Sequence, residues 1–520
     1  MGGGRFEPAR IIAIMAEQAG IPDRDTTSGL QRWASLIGLG LGPAAAIVVA
    51  LALPDSVPGT DGPIELSSAA RVTASVASLM AIWWLTEALP LSATALLPLA
   101  LLPLLGATTI TETAAPYANP VIFLFLGGFM LGLAMERWGL HKRIALLTIL
   151  AVGTGPRSII AGFMLATAVL SAFVSNTATV IMLIPIATSV LATLPDNPDA
   201  PDGARARFST CLVLAIAYAA SIGGIATLIG TPPNAVLAGF VQERSEYTIS
   251  FGRWMLHALP LVVVLLPLAY VLLIGPLFRI GGAVGGSRSV VREELHKLGS
   301  MKPGEWVVLI IFSITACLWI FQDLIMQLPG LERLGITLSD AQIATFAAVA
   351  LFVVPVDRRW TTFALDWETA RRAPFGILLL FGGGLSLAAA VTATGLDASI
   401  GQQFARLQGV PIWLIVLGLC LTVTFLTELT SNTAVTTALL PVLAAAGPVL
   451  GIDDAYLLLP AAVSASCAFM LPVATPPNAV AFASGHVTIM QMARTGVLLN
   501  LLFAGAVTAW VMIVAPRLLT

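Results

Sequence analysis

Two short polar phrases interrupt the apolar runs of this chain, and each occurs twice in the same order. Ser175-Asn176-Thr177 is followed by Thr231-Pro232-Pro233-Asn234-Ala235-Val236, and Ser431-Asn432-Thr433 by Thr475-Pro476-Pro477-Asn478-Ala479-Val480. The first residues of the two copies lie 256 and 244 positions apart, about half of the 520-residue chain. Two phrases repeated in one order at nearly the same spacing mark an internal duplication.

The surroundings of the phrases set the solvent. Only 10% of the residues are charged and 57% are hydrophobic, whereas soluble domains carry roughly 25% charge. Apolar runs of about 18 or more residues recur, each long enough to cross a hydrocarbon layer of roughly 30 Å as a helix. The roughly 10-residue alternation of barrel strands is absent. The fold class is therefore an all-α polytopic membrane protein, and a net charge of −2 gives no reason to expect a nucleic-acid partner. Arg5, Arg10 and Arg24 stand among acids with no apolar core before a cleavage site, so no signal peptide is expected, and Phe6 argues against myristoylation. Cys211, Cys317, Cys420 and Cys467 lie singly in apolar runs and read as small packing residues. The four histidines are scattered near span ends and suggest no shared site.

Taken in order, spans are expected at about 34–53, 72–89 and 91–106, then a fourth around Phe125-Leu126-Gly127-Gly128 that stops at Glu136-Arg137. The segment at about 141–153, basic at its start, reads as a helix lying at the interface. The stretch 157–190 is too long for one span and too short in each half for two, so it reads as a re-entrant hairpin with Ser175-Asn176-Thr177 at its tip. A span at 207–240 must break at Gly230-Thr231-Pro232-Pro233-Asn234, because two prolines cannot donate to a helical ladder. After a sixth span at 254–279 comes a linker, and the pattern then repeats: spans at 304–322 and 341–356, a ninth carrying Phe381-Gly382-Gly383-Gly384, a hairpin at 411–447, a broken helix at 455–483 and a last span ending near Ala515. The implied units are a cytoplasmic segment 1–33, a first half divided into 34–145 and 146–280, a linker 281–303, and a second half divided into 304–400 and 401–515.

Eleven crossings that start with the N-terminus inside place 20 of the 26 Lys and Arg residues on the cytoplasmic face, with Arg71, Arg244, Arg253, Arg333, Arg406 and Arg517 outside. Five crossings separate corresponding spans of the halves, so the repeats are inverted. One hairpin enters from each side, and their tips can meet near the midplane, the usual place for a transporter site.

The triplets offer hydroxyls, amides and the backbone N–H groups of a starting half-helix, which suits a carboxylate. Each half-helix N-terminus presents roughly +0.5 charge, so two supply roughly +1, too little for a dianion. No Lys or Arg lies between Arg157 and Arg205, between Arg207 and Arg244, or between Arg406 and Arg494. Mobile cations are then needed, and unwound carbonyls with Asn, Ser and Thr oxygens make hard cages of the kind that hold sodium. A single Ser-Asn-Thr in a membrane helix would read as interhelical glue, and a single Pro-Pro as a kink. Their paired, inverted recurrence points to a site. Glu428, whose counterpart is Ala172, reads as a structural or gating carboxylate rather than a direct ligand; Glu87 reads as structural, and proton coupling through an intramembrane acid stays open.

At these residues the chain resembles the divalent anion/sodium symporter family of di- and tricarboxylate carriers. The phrases that carry the resemblance are Trp83-Trp84-Leu85-Thr86-Glu87-Ala88-Leu89-Pro90-Leu91, both triplets, both Thr-Pro-Pro-Asn breaks and Phe381-Gly382-Gly383-Gly384-Leu385. The resemblance implies a homodimeric elevator in the cytoplasmic (inner) membrane, with 11 transmembrane helices, two re-entrant hairpins and two inverted repeats. It implies substrate contacts from Ser175, Asn176, Thr177, Thr231, Pro232, Ser431, Asn432, Thr433, Thr475 and Pro476. It also implies one sodium (Na+) among Ser171, Ser175, Asn176 and Gly230, and a second among Thr427, Thr430, Asn432 and Ala474. The expected function is sodium-coupled symport of C4-dicarboxylates such as succinate, malate or fumarate. The alternatives are a sodium-independent dicarboxylate exchanger and a sulfate or citrate carrier on the same fold. An intramembrane enzyme would need paired acids, His-Glu-x-x-His or Gly-x-Ser-x-Gly within the spans, and none is present.

Overall fold

The computed structural model describes residues 29–59, 62–153, 155–192, 203–244, 247–281, 288–327 and 337–518. The first 28 residues, on which the signal-peptide and myristoylation readings rest, lie outside the described residues, as do the Gly/Ser part of the linker at 282–287 and Arg333.

The chain is helical nearly throughout. The first half comprises α1 (Gly29–Ala52), α2 (Ser68–Thr86), α3 (Leu97–Leu104), α4 (Pro120–Trp138), α5 (Leu140–Val152), α6 (Pro156–Ser171), α7 (Asn176–Ala192), α8 (Ala204–Gly224), α9 (Pro232–Arg244) and α10 (Phe251–Leu272). A linking helix α11 (Arg288–Leu298) follows, then α12 (Pro303–Ile320), α13 (Asp340–Val353), α14 (Phe375–Ala393), α15 (Leu396–Gln402), α16 (Ile412–Thr427), α17 (Asn432–Leu450), α18 (Ala455–Ala465), α19 (Pro476–Ala483) and α20 (Ile489–Leu518). Among the described residues nine helices are long and apolar enough to cross a membrane. The helices beside the polar phrases are mostly shorter: α6 and α16 have 16 residues each, which at about 1.5 Å per residue falls short of a crossing.

Local chemistry explains the ends. Ser67, Ser250 and Ser339 sit just before α2, α10 and α13 and accept from Ala70, Arg253 and Gln342 N–H groups, filling otherwise orphaned donors. Pro120, Pro156 and Pro303 open helices, where a missing N–H costs nothing. Within Trp83-Trp84-Leu85-Thr86-Glu87, both indoles donate to main chain, Trp83 to Gly38 O at 3.1 Å and Trp84 to Leu91 O at 3.2 Å. Glu87 ends α2 in a left-handed conformation (φ 49°). That phrase is thus a packing joint between α1, α2 and the following turn.

The core centres on α8, buried without interruption from Phe208 to Gly224. It packs on α6, α7 and α10 from its own half and on α19 from the other. A smaller cluster joins α2, α3, α14 and α17 through Met80, Trp84, Leu102, Leu380 and Ala434.

The structure adds detail to these expectations and corrects one. Between α1 and α2, Ser56–Gly59 and Gly62–Glu65 pair as antiparallel strands. The linker carries α11, which packs on α5 and buries Val291. The basic start of α5 is divided: Lys142 is exposed, while Arg143 is buried in an ion pair with Glu305 (2.8 and 3.1 Å) and donates to Gly299 O at 3.0 Å. Cys211, Cys420 and Cys467 pack inside as expected, but Cys317 is exposed.

Candidate functional site

Each triplet lies where one helix stops and another starts. In the first half α6 ends at Ser171, a turn runs from Ala172 to Ser175, and α7 starts at Asn176. Ser171 is fully buried and its Oγ donates to Ala220 O on α8 at 2.8 Å. The same hydroxyl bonds the Asn176 side chain. With its amide turned, Asn176 Nδ2 donates to Gly230 O at 3.2 Å and Ala220 O at 3.3 Å; unturned, Oδ1 faces those same oxygens. Oxygens of Ser171, Ala220 and Gly230 therefore surround the end of the Asn176 amide, which satisfies them as a donor once turned. The approach is close: a Cβ on Gly230 would stand 2.4 Å from Gly224 O, so residue 230 must be glycine for its carbonyl to enter the cluster. Of the remaining first-half candidates, Thr177 and Thr231 are buried, Pro232 is half-buried and Ser175 is exposed at the tip.

In the second half α16 ends at Thr427 and α17 starts at Asn432. Thr427 is fully buried and its hydroxyl donates to Thr424 O at 3.0 Å, while Thr430 donates to Leu426 O at 2.9 Å. Each hydroxyl thus spends its proton on its own helix and keeps oxygen lone pairs to offer. Ser431 caps α17, accepting from Ala434 N at 3.4 Å, and Asn432 Oδ1 is buried without a partner. Thr433 is buried. Thr475 caps α19, accepting from Asn478 N at 3.3 Å; Ala474 N donates to Leu471 O at 3.2 Å; Pro476 is exposed.

The asparagines that close the Thr-Pro-Pro-Asn phrases do something that spacing alone does not reveal. Asn234 Nδ2 donates to Gly224 O, Ile225 O and Thr227 O at 3.2, 3.3 and 2.8 Å. Asn478 Nδ2 donates to Ala468 O and Leu471 O, both at 3.1 Å. Two of these acceptors correspond between the halves, each 244 positions apart, as the asparagines themselves are. Both side chains are fully buried. They staple the unwound main chain, so the carbonyls released by the proline breaks hold fixed directions instead of competing for water.

The phrases also meet across the halves. The helix after the first triplet, α7, packs on α19, which starts at the second proline break; α9, which starts at the first break, packs on α17, which starts at the second triplet. Thr231 Oγ1 lies 3.4 Å from Ser466 Oγ at the end of α18, and Tyr218 OH donates to Phe469 O at 2.9 Å. Arg244, the next cation after the first break, lies at the opposite end of the 13-residue α9, roughly 18 Å along its axis from Pro232. There it pairs with Asp454 (3.5 Å) and Asp397 (3.8 Å).

Glu428 is buried in the second turn. Its carboxylate accepts from Phe469 N, Met470 N and Leu471 N at 2.7, 2.9 and 3.0 Å and from Asn500 Nδ2 at 2.7 Å.

A family model described as the sodium:sulfate symporter transmembrane region matches residues 42–515. The chain is 40% identical over 488 residues to the sodium-dependent dicarboxylate transporter SdcS of Staphylococcus saprophyticus, covering 93% of this chain and 92% of that one. It is 41% identical over the same length and shares to the protein of that name in Staphylococcus aureus. Among solved structures it resembles the Alcanivorax borkumensis YdaH transporter (TM-score 0.57, 17% identity) and Neisseria gonorrhoeae MtrF (TM-score 0.59, 13% identity); each comparison covers 93% of this chain and 97% of the other. At such identities these two show likeness of fold.

Proposed function

The chain belongs to the sodium:sulfate symporter family, and from that premise we propose that it is a secondary active transporter that couples sodium entry to uptake of a C4-dicarboxylate such as succinate, malate or fumarate. The relatives named sodium-dependent dicarboxylate transporters support the substrate class and the coupling ion. The observation that carries the mechanism is the cluster of Ser171, Ala220 and Gly230 oxygens around the Asn176 amide. Three oxygens beside an amide that can also present its own oxygen suit a hard monovalent cation, and a sodium there would supply positive charge that the phrase residues themselves lack.

In this reading the first sodium sits among Ser171, Ser175, Asn176 and Gly230, and the second among Thr427, Thr430, Asn432 and Ala474. The dicarboxylate lies between them, met by Ser175, Asn176, Thr177, Thr231 and Pro232 from one half and Ser431, Asn432, Thr433, Thr475 and Pro476 from the other. Exposure of Ser175 and Pro476 at their turns is consistent with contact to a ligand arriving from water. Net positive charge moving inward would draw about 2.3 kcal/mol per charge from each 100 mV of membrane potential.

The finer architecture belongs to the same proposal. Eleven crossings form two inverted repeats with two re-entrant hairpins; 34–145 and 304–400 make a fixed scaffold, 146–280 and 401–515 the part that moves, and 281–303 the linker. The short α6 and α16 favour re-entrant arms. The return arm α17, at 19 residues, is long enough to cross by itself, so its depth is the element of this layout most worth measuring. The protein would act as a homodimeric elevator in the inner membrane with its N-terminus in the cytoplasm.

The test is uptake of radiolabelled succinate by proteoliposomes. Uptake should be saturable, should fall to background when choline replaces sodium, and should outlast that of sulfate and citrate in a competition panel. Sodium-independent counterflow between internal and external dicarboxylate would instead make the protein an exchanger.

A further inference from the structure

The two halves hold their tips to their broken helices by corresponding contacts in which the tip accepts and the broken helix donates, with side chain and main chain exchanged. In the first half Thr227 Oγ1 donates to Ala172 O. Ile225 N and Ala226 N turn back to Ile222 O and Gly223 O at 3.2 and 3.0 Å. Glu428 stands 256 positions after Ala172, and Leu471 stands 244 after Thr227, the offsets that relate the triplets and the proline phrases. In the second half the tip supplies the acceptor as a carboxylate, and the broken helix supplies three consecutive N–H groups, 469–471. The first contact is neutral, while the second carries a full charge at a residue that is only 3% exposed.

From this asymmetry we propose that Glu428 is the positioning residue of the second sodium site and makes that site the tighter of the two. The proposal rests on the reading of sodium coupling given above. The unwound segment 468–471 is gripped from both sides: Glu428 takes the N–H groups of 469–471 and Asn478 takes Ala468 O and Leu471 O. Ala474 N bonds to the held Leu471 O, so the direction of the chain at Ala474 follows from that grip. Asn500 on α20 fixes the carboxylate in turn. With four N–H donors on its two oxygens, the carboxylate is spent on the main chain. It acts on sodium through the strand it holds and through its charge, which stands next to Thr427 and two residues from Thr430 in a setting where water screens little. No such charge stands at Ala172. The second site therefore fills at lower sodium than the first, and binding is ordered.

The experiment uses the full chain purified in detergent, with the thermal midpoint followed against sodium at constant ionic strength and without dicarboxylate, beside uptake in proteoliposomes. Wild-type protein should be stabilised by sodium with saturation. In Glu428→Gln the half-saturating sodium should rise about tenfold, the loss of one charge at intermediate dielectric, while the KM for succinate at saturating sodium moves less than about twofold. An unchanged sodium midpoint, or equal loss of sodium and succinate affinity, overturns the proposal. If Glu428→Gln does not fold, Glu428→Asp decides, since it keeps charge and loses reach: a raised sodium midpoint with an unmoved succinate KM supports positioning, and proportional loss of both overturns it. A wild-type protein whose melting ignores sodium would bring down the sodium reading itself, an outcome separable from a failure of the variant alone.

Discussion

Gly384 lies where α14 crosses α17, and a methyl group there has no room. A Cβ at this position would stand 2.0 Å from Thr437 Cγ2, whereas carbon atoms settle at about 3.5–4.0 Å. Thr437 cannot simply turn away, because its Oγ1 donates to Thr433 O at 2.8 Å and holds the rotamer. Gly384→Ala should gain about 1 kcal/mol of helix propensity. Against that, it must either break the Thr437 bond, at about 1 kcal/mol, or part the helices, with overpacking that costs about 1–3 kcal/mol. The expected balance is a net loss of up to about 2 kcal/mol. The functional effect should be larger than the stability effect, since α14 lies in the proposed scaffold and α17 in the proposed moving part. Thermal melting in detergent reads the first and initial uptake rate in proteoliposomes the second. Thr437→Ser removes Cγ2 and keeps the hydroxyl, so the double variant should recover most of both losses. Wild-type melting and uptake for Gly384→Ala, or failure of Thr437→Ser to relieve it, would refute the steric reasoning.

Three further outcomes are expected. Asn234→Asp keeps the shape of the staple but sets carboxylate oxygen against Gly224 O, Ile225 O and Thr227 O; a cost of about 3 kcal/mol or more should appear as a lower melting midpoint and lost uptake. Thr227→Val strips a donor from Ala172 O and an acceptor from Gly230 N, at about 1–3 kcal/mol, while Thr227→Ser should be nearly silent in the same melting assay. Arg143→Ala leaves Glu305 buried without its partner, a loss of about 3–5 kcal/mol; the paired change Arg143→Met with Glu305→Gln should melt closer to wild type than either change alone.

Much of this protein can be read from local pattern. Hydropathy places most helices within a few residues of where they form, because the need to cover backbone polar groups in an apolar solvent acts on each segment separately. Pro232-Pro233 and Pro476-Pro477 dictate breaks wherever the chain runs, since a missing N–H is a local defect. The doubled phrases alone point to duplication and to carboxylates and cations as ligands.

Other features depended on partners far along the chain. Glu428 bonds residues 41 to 72 positions away, and nothing beside it in sequence distinguishes a clamp on main chain from a ligand or a gate. Asn234 and Asn478 look like oxygen donors to a cation, yet their amide nitrogens hold the broken helices in shape. The burial of Arg143 needs Glu305, and the pairing of α7 with α19 and α9 with α17 needs both halves in place. The sequence by itself determined where the helices stop and which polar groups are released there, because those are properties of a few adjacent residues. Only the tertiary structure decided what those groups face, because a buried hydrogen-bonding group takes whichever partner packing brings to it.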